Sequence, residues 1–397
     1  MNRTGGSYDT DASAILADVA RAVSLAEGAA GVQAVLRTVA QREPLPVREI
    51  SRATGLPVPV VAATCNELRK RGVLAPGPRA RLTALSRDVF GDLARRLPLP
   101  ALCDACDGTG TRIPAALEGV AAELAQIADR APSAQLQLDQ SHCTVETKLR
   151  RVLALHEAGS LLGRRILLLG DDDLVSLAIH AVLRSCGFER GVTELAVVDV
   201  DARLLRFLRE HLAEATFPVT LVAHDVRDPL PPHLAGRFET VCTDPPYTPA
   251  GARLFLSRAV EGTGPAAGRD VFFSFGRRPP GESLEVQRTI GEMQLVVTQV
   301  TPRFNEYVGA GILGGVGDMY HLTTTAGSRP LELARFDGPL YTGEVRDPSR
   351  TYLCAACGTT LPVGPGKRWS TVGELKAAGC PSCRGTSFRP LPRGKGR

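Results

Sequence analysis

Carboxylates follow two short apolar runs near the middle of the chain. Asp171–Asp173 come directly after the run 165–170, and Asp244 follows the run 238–243 in an Asp-Pro-Pro-Tyr sequence that ends at Tyr247. Both runs have the length and composition of buried strands. In an open α/β sheet, ligands bind at the carboxyl ends of the strands. The sequence therefore predicts an active site lined with carboxylates and suited to a cationic substrate.

The Asp-Pro-Pro-Tyr turn has its own chemistry. Pro245 and the proline after it restrict the backbone, which directs a carboxylate and an aromatic ring into the cleft. Asp244 and Tyr247 would then hold an amine by a hydrogen bond and a cation–π contact. A carboxylate within hydrogen-bond reach also orients the amine and accepts its proton. We therefore expect both side chains to bind substrate.

The three adjacent aspartates also have an ordinary explanation as the cap of a helix. One or two acids satisfy a helix N-terminus, and the third exceeds that need. Three anions after Gly170 would repel a diphosphate, and the glycine pattern of dinucleotide sites is missing. This argues against NAD or FAD and favours a metal or a polycation.

Further acids at strand ends suit an adenosyl group. Asp199 and Asp201 close the second predicted strand and are placed for ribose hydroxyls, with Asp199 the first candidate. Asp225 closes the third and is placed to accept from an adenine amino group. Asp139 and Gln140 are not explained by the helix cap at Thr144 and Glu146. We count both, with Gly170, among the predicted cofactor-binding residues.

The whole chain has the composition of a globular protein of several domains. It holds 397 residues, 44% hydrophobic and 22% charged, with a net charge of +5. No apolar run reaches the length of a membrane span, and the N-terminus lacks a signal sequence. We therefore expect a cytoplasmic protein. Residues 42–87 and 384–397 are basic and the remainder is acidic, which leaves a nucleic-acid partner open at the ends but argues against phosphate binding in the centre.

The pattern from Gly31 to Leu85 predicts a winged helix, with helices over 32–39, 47–54 and 58–71 and a hairpin over 72–83. Such a domain binds DNA through its third helix. That helix offers few side chains to read bases, so a role in dimerisation or in covering an active site is favoured. Cys103 and Cys106 supply only half of a zinc site, and two reduced cysteines in a glycine-rich turn explain them equally well.

From 164 onwards, strands alternate with helices, which predicts a doubly wound, Rossmann-like sheet. The last two strands, over 295–300 and 320–325, form the extra antiparallel edge of the methyltransferase type. The segment 301–318 between them is rich in glycine and predicts a mobile loop that closes over a ligand. Within it, Glu306 is a predicted substrate-binding residue.

The C-terminal cysteines are spaced as metal ligands. Two Cys-x-x-Cys pairs are separated by 22 residues, which predicts a structural zinc ribbon. Its ligands would be Cys354, Cys357, Cys380 and Cys383.

Together these residues resemble the branched-chain polyamine synthases, or bis(aminopropyl)spermidine synthases. The resemblance covers 31–325 and rests chiefly on Gly170 with Asp171–Asp173 and on Asp244 to Tyr247. It implies a fold of the spermidine synthase type, a homodimer, and aminopropyl transfer from decarboxylated S-adenosylmethionine to the secondary amine of spermidine. Methylthioadenosine is released. Carried onto this chain, Asp171, Asp172 and Asp173 hold the aminopropyl group and the acceptor amine, with Asp172 the key acid.

Two other functions stay open at this point. Asp-Pro-Pro-Tyr is also similar to the motif of nucleic-acid amino methyltransferases, in which a flipped base stacks on Tyr247. A DNA-binding regulator with a winged helix, a zinc ribbon and a degenerate core is the third candidate. We divide the chain into a winged-helix region, a connector, a catalytic domain, a second connector and a ribbon with a basic tail, over 1–98, 99–163, 164–326, 327–350 and 351–397.

Overall fold

The computed structural model describes residues 7–94, 106, 108–188, 190–308, 315–341, 344, 350–364, 367–369 and 372–391. The chain forms two compact units, Met1–Gly338 and Pro339–Arg397. The five-part division predicted from the sequence is finer than these two units and stays a prediction. Among the described residues, no helix is long and apolar enough to cross a membrane.

The first unit begins with short helices and a small antiparallel strand pair. Apolar residues spaced three and four apart, such as Val32, Val35, Leu36 and Val39, form its buried core. The three predicted helices are present, and the winged-helix assignment itself stays a prediction. The elements are α1 (Ser7–Ala22), α2 (Gly28–Arg42), β1 (Leu45–Pro46), α3 (Val47–Thr54), α4 (Val58–Lys70), β2 (Arg79–Ala80) and α5 (Ala84–Phe90).

A mixed seven-stranded sheet is the centre of this unit, as the strand–helix alternation predicts. Its strands in chain order are β3 (Arg165–Leu169), β4 (Glu194–Asp199), β5 (Val219–Ala223), β6 (Thr240–Thr243), β7 (Asp270–Phe275), β8 (Leu295–Glu306) and β9 (Val316–Thr324). In space the order is β5-β4-β3-β6-β7-β9-β8. The five strands from β5 to β7 are parallel. The antiparallel strands β9 and β8 complete one edge.

Helices cover the sheet because its strands are apolar on both sides. The helices are α6 (Glu118–Ala128), α7 (Val145–Glu157), α8 (Val175–Ser185), α9 (Ala202–His211), α10 (Pro249–Thr263) and α11 (Pro280–Glu292). Ile166 and Leu168 of β3 share a core with α6, α7 and α8. Leu167, between them, faces α10, where an added Cβ at Gly262 would lie 2.7 Å from the leucine side chain. Glycine at 262 therefore permits the close approach of α10 to the sheet.

Both ends of the segment 301–318 belong to strands, whereas the sequence predicts a long loop throughout. Strand β8 continues to Glu306 and β9 already begins at Val316, so the connection is much shorter than expected. The register of the pair shifts at Val297/Gln299 and again at Thr301/Asn305. Such bulges interrupt the alternation by which a strand is recognised in a sequence. The extra length brings the end of β8 to the carboxyl edge of the parallel strands.

The described part of the second unit includes a three-stranded antiparallel sheet in the order β11-β10-β12 and a short helix. Its elements are β10 (Arg350–Cys354), β11 (Thr360–Val363), α12 (Val372–Ala378) and β12 (Phe388–Pro390). Leu361, Val363, Trp369 and Leu375 form a core with two buried cysteines. Arg368 lies over the Trp369 ring. A core this small needs an additional cross-link to be stable.

An ion-pair cluster joins strands at the amino edge of the seven-stranded sheet. The Glu239 carboxylate, next to β6, accepts hydrogen bonds from the backbone N–H and the guanidinium of Arg165, the first residue of β3. Arg269, next to β7, lies 2.6 Å from the same carboxylate. Burial alone would raise the pKa of Glu239, but the bonds from Arg165 and Arg269 lower it to about 2.

We predict that Glu239→Gln destabilises the protein in a pH-dependent way. A carboxyl whose folded pKa lies below its ordinary value stabilises the fold above that value and loses the contribution as the pH falls through the folded pKa. At pH 7 the loss should be about 1 to 2 kcal/mol after allowing for solvent screening. The difference from the wild type in urea unfolding should shrink between pH 4.5 and 2. Glu285→Gln, at an exposed position of α11, is the control, and an equal loss there would contradict the assignment.

Candidate active site

The two predicted acidic segments meet at the carboxyl edge of the sheet. Strands β3 and β6 are neighbours, with Leu169 paired to Thr243, so the residues that follow them lie side by side. The order of the parallel strands reverses at this point, because β4 and β5 lie beyond β3 while β7 lies beyond β6. A reversal of this kind creates a crevice at the carboxyl ends of the strands. Asp171–Asp173 and Asp244 line that crevice.

Gly170 and Asp171 form the sharp turn from β3 into α8. Gly170 has a φ of +78°, which a residue with a side chain adopts only with strain. The Asp171 carboxylate accepts the Val175 N–H at 2.6 Å and the Ser176 hydroxyl. Burial raises its pKa to about 7 in spite of these bonds. Its carboxylate is therefore engaged by the start of α8, as in the capping interpretation, and only its neighbours are available to a ligand.

Arg151 of α7 lies between the two acidic segments. One guanidinium nitrogen is 2.7 Å from the Asp173 carboxylate and another is 2.6 Å from that of Asp244, and the arginine is only 8% exposed. Burial alone would raise the pKa of Asp173, but Arg151 and Lys148 lower it. Burial raises the pKa of Asp244 to about 6, although Arg151 opposes the shift. The two carboxylates are thus held together by one cation.

Two tyrosines extend this network. The Tyr307 hydroxyl donates to Asp244 at 2.6 Å, and the Tyr247 hydroxyl donates to that of Tyr307 at 2.7 Å. The Arg151 guanidinium also donates to the side-chain oxygen of Asn305 at 2.9 Å. Asn305 and Tyr307 reach the site because β8 is longer than expected. Tyr247 is half-buried and packs against Tyr307 at 6.3 Å between ring centroids.

Asp172 is the remaining acid of the crevice. It is partly exposed, and one carboxylate oxygen accepts the Ser141 N–H at 3.2 Å. Its backbone carbonyl lies 2.7 Å from His142 Nδ1. Burial raises its pKa well above the ordinary value, and the negative charges of Asp173 and Asp244 add to the effect. A carboxylate of this kind takes up a proton readily or binds a cation.

The predicted nucleoside residues follow β4 and the segment before α7. Asp199 accepts the N–H groups of Asp171 and Asp201 at 3.1 and 2.7 Å. The Asp201 carboxylate caps α9 and bonds to Arg203 and Gln135, and the Arg203 hydrogen bonds lower its pKa. The predicted residues Asp139 and Gln140 lie in the same segment as Gln135, whose N–H donates to the Gln140 side chain at 2.8 Å.

Three predicted site residues lie outside the acidic cluster. Asp225 begins the turn after β5, where it accepts the Arg227 N–H at 3.0 Å. Pro245 is buried in the turn after β6. The Glu306 side chain forms an ion pair with Arg52 of α3 at 2.7 Å. Because side chains alternate along a strand, Glu306 points away from its neighbours Asn305 and Tyr307 and from Asp244. No observation here tests the binding roles of these residues.

The four C-terminal cysteines converge as their spacing predicts. The Sγ atoms of Cys354, Cys357, Cys380 and Cys383 all lie within 4.8 Å of one another. Two of the separations are 3.5 Å, between Cys354 and Cys383, and 3.6 Å, between Cys357 and Cys380. Tetrahedral zinc with bonds of 2.3 Å places sulfur atoms about 3.8 Å apart, so the cluster fits zinc. Cys103 lies outside the described residues, so the choice between half a zinc site and two reduced cysteines at Cys103 and Cys106 stays open.

Sequence reasoning missed Arg151, Lys148, Asn305 and Tyr307. Lys148 is 1% exposed and donates to the Cys143 carbonyl at 2.6 Å. The signal for Arg151 was its spacing of four residues from Leu155 and from Thr147, all on the buried side of α7. A charged residue on an apolar stripe indicates a buried partner. Asn305 and Tyr307 lie in the predicted ligand-closing segment 301–318, but the bulges of β8 conceal the strand alternation that would direct them to the acidic crevice.

The sequence also matches known proteins. Residues 119–321 match the family model of the branched-chain polyamine synthase A C-terminal domain. An uncharacterized protein of Methanocaldococcus jannaschii is 31% identical over 97% of this chain and 95% of its own length. The N(4)-bis(aminopropyl)spermidine synthase of Thermus thermophilus is 32% identical over 67% of this chain and 82% of its own length.

A solved structure resembles the fold as well. The branched-chain polyamine synthase C9 mutein of Thermus thermophilus superposes with a TM-score of 0.68 at 25% identity. The match covers 85% of this chain and 99% of that one. That structure holds N4-aminopropylspermidine and 5'-methylthioadenosine.

We predict that Arg151→Met strongly destabilises the protein. The substitution leaves the buried carboxylates of Asp173 and Asp244 without their cation, which typically costs about 3 to 5 kcal/mol. Urea unfolding at pH 7 measures the loss, and adding Asp173→Asn and Asp244→Asn should recover part of it. The control is Arg150→Met, because Arg150 is the adjacent residue of α7 and its guanidinium donates to the Thr147 hydroxyl and lies over the Phe304 ring rather than pairing with the two acids. Equal losses in both variants would show that the ion pairs do not stabilise the fold.

Proposed function

The chain belongs to the branched-chain polyamine synthase family, and we propose that it transfers aminopropyl groups from decarboxylated S-adenosylmethionine to the secondary amine of spermidine. The products are a branched polyamine and methylthioadenosine. The names of the relatives and the polyamine and nucleoside bound in the solved structure support this reaction. The observation that carries the proposal is the Asp172 carboxylate with its raised pKa, which lies beside two acids that are already ion-paired with Arg151.

The charge of the crevice suits a polyamine. Asp171–Asp173 and Asp244 line the crevice together with Arg151. Even with Asp172 protonated, the negative charges of Asp173 and Asp244 exceed the single positive charge of Arg151, and a ligand with several ammonium groups offsets the excess. The same excess disfavours the phosphates of a nucleic acid, so the polyamine is favoured over the base of the methyltransferase alternative.

Asp172 is the proposed proton acceptor. The secondary amine of spermidine is an ammonium ion at neutral pH, and it must lose one proton before its lone pair can attack. A carboxylate with a raised pKa takes that proton near neutral pH more readily than an ordinary aspartate. The amine nitrogen then bonds to the aminopropyl carbon while the carbon–sulfur bond breaks. That bonding pair passes to the sulfonium sulfur, which leaves as the neutral thioether of methylthioadenosine.

The other site residues hold the reactants in this proposal. Asp244 has one carboxylate oxygen bonded to Arg151 and Tyr307, which leaves its second oxygen for an ammonium group of the polyamine. The half-buried ring of Tyr247 provides an apolar wall and a cation–π surface. Asp199, at the end of β4, is the proposed ribose contact, and Asp225, at the end of β5, the proposed adenine contact.

Three expectations accompany the proposal without being tested by it. The resemblance implies a homodimer, and the edge strand β8 exposes Val296, Val297 and Val300 to a second copy. The basic N-terminal region keeps a nucleic-acid partner open. A winged-helix fold for that region is supported by its three helices and its short strand pair.

We predict that Asp172→Asn lowers kcat for aminopropyl transfer by a factor of about 100 or more, because loss of a positioned proton acceptor costs this much. Purified protein is incubated with decarboxylated S-adenosylmethionine and spermidine, and mass spectrometry follows the heavier polyamine and methylthioadenosine. In the wild type, kcat/KM should fall with acid at a pH above the ordinary titration of aspartate, because the pKa of Asp172 is raised.

The matched control is Asp129→Asn, at an exposed position after α6, which should keep wild-type activity. Retained activity in Asp172→Asn would remove this residue from the proposed role. If the wild type yields neither product but methylates DNA or RNA from S-adenosylmethionine, the methyltransferase alternative replaces the proposal.

We also predict one zinc ion per chain, bound by the four C-terminal cysteines. The thiolates would hold a structural ion that supplies the small second unit with the cross-link its core lacks. Metal analysis by mass spectrometry should find about one zinc per chain, and Cys357→Ser with Cys383→Ser should lose it. Cys186→Ser, at an exposed free cysteine of the first unit, should retain it. Unchanged zinc in the double variant would refute the site.

A further inference from the structure

Arg258 of α10 is the largest side chain that is fully buried in the described part of the chain. Its guanidinium uses all three nitrogens as donors, to four backbone carbonyls and to the Glu261 carboxylate. A guanidinium has five N–H groups, so every donor has an acceptor. The four carbonyls, at distances of 2.7 to 3.1 Å, belong to Val226, Arg227, Glu332 and Ala334.

These carbonyls come from two separate segments. Val226 and Arg227 belong to the turn after β5, which we call the β5 turn, residues 224–230. Glu332 and Ala334 belong to an extended segment that we call the strap, residues 331–336. Arg258 donates hydrogen bonds to both segments, so it joins the β5 turn to the strap. A buried cation with so many backbone partners holds the chain in one conformation.

Other contacts join the strap and the β5 turn. The strap's Phe336 N–H donates to the Arg227 carbonyl at 2.8 Å, and its Arg335 forms an ion pair with Asp228 at 2.6 Å. Ser257, next to Arg258, accepts the N–H groups of Leu331 and Glu332, both at 3.1 Å. The strap is therefore bound to α10 and to the β5 turn through much of its length.

The β5 turn carries Asp225, the proposed adenine contact. The Asp225 carboxylate accepts the Arg227 N–H and its carbonyl accepts the Asp228 N–H, both at 3.0 Å. The peptides that Arg258 holds by their carbonyls are thus those that set the direction of Asp225. Neither Arg258 nor the strap bonds to the acids after β3 and β6 within the described residues, and β4 separates β5 from β3.

We propose that Arg258 is a positioning residue for nucleoside recognition, acting through the β5 turn and the strap on Asp225. The inference rests on the proposed function, since it assigns Asp225 to the adenine of the aminopropyl donor. It predicts a separation of effects. Weaker bonds from Arg258 to the β5 turn and the strap lower the affinity for the donor and for methylthioadenosine. Polyamine binding and the transfer step at Asp172 stay unchanged.

Arg258→Lys keeps the charge but loses the planar set of five donors. We expect KM for decarboxylated S-adenosylmethionine to rise about tenfold, as for the loss of one or two hydrogen bonds. Calorimetry should show methylthioadenosine binding weakened by the same factor. KM for spermidine and kcat should stay near the wild-type values. Arg288→Lys is the control, because Arg288 lies at an exposed position of α11, outside both the strap and the β5 turn.

Arg335→Ala provides a second variant that does not disturb the core. Arg335 is exposed, and its side chain joins the strap to Asp228. Its removal should raise KM for the donor and weaken methylthioadenosine binding about two- to threefold, as for an exposed ion pair. If Arg258→Lys does not fold, the Arg335→Ala result decides the proposal. Unchanged methylthioadenosine binding, or equal rises in both KM values, overturns it.

The binding measurement separates this inference from the proposed function. A wild type that transfers aminopropyl groups, with variants that bind methylthioadenosine equally well, would overturn the inference alone. A wild type without transfer that binds methylthioadenosine more tightly than both variants would overturn the proposed reaction and leave the positioning role intact. A wild type with neither transfer nor binding would overturn both.

Discussion

The ion pairs of Arg151 with Asp173 and Asp244 are the interaction on which the rest of the active site depends. Buried carboxylates without a cation take up protons and lose their charge. Arg151 keeps Asp173 ionised, and that charge in turn raises the pKa of Asp172. Arg151 therefore distinguishes two acids that share its positive charge, Asp173 and Asp244, from Asp172, which is the proposed proton acceptor.

The fold holds this arrangement from three directions. Strands β3 and β6 are neighbours where the strand order reverses, so their carboxyl ends deliver the acids to one place. Helix α7 carries Arg151 and begins at the cap formed by Thr144, whose hydroxyl accepts the Thr147 N–H at 3.2 Å. Strand β8 arrives from the antiparallel edge and contributes Asn305 and Tyr307. Without α7, the acids after β3 and β6 would be buried without a cation, and without those strands Arg151 would be buried without an anion.

In the proposed function, the crevice and the β5 turn each recognise a different substrate. The acids after β3 and β6 suit the ammonium groups of a polyamine, and the ends of β4 and β5 suit a nucleoside. The β5 turn is held through backbone carbonyls by Arg258, whereas the crevice is held by side-chain ion pairs around Arg151. Two buried arginines thus support two halves of one site.

The α/β class, the strand ends at Asp171–Asp173 and Asp244, and the four-cysteine cluster could all be predicted from the sequence. Each depends on local spacing: a short apolar run, a turn sequence or paired cysteines. The partner of the acids could not be predicted, because Arg151 lies 93 residues from Asp244 and only the packing of α7 against the sheet brings them together. The different surroundings of Asp171, which caps a helix, and of Asp172, the proposed proton acceptor, could not be predicted for the same reason, since identical adjacent side chains acquire different chemistry only from their surroundings.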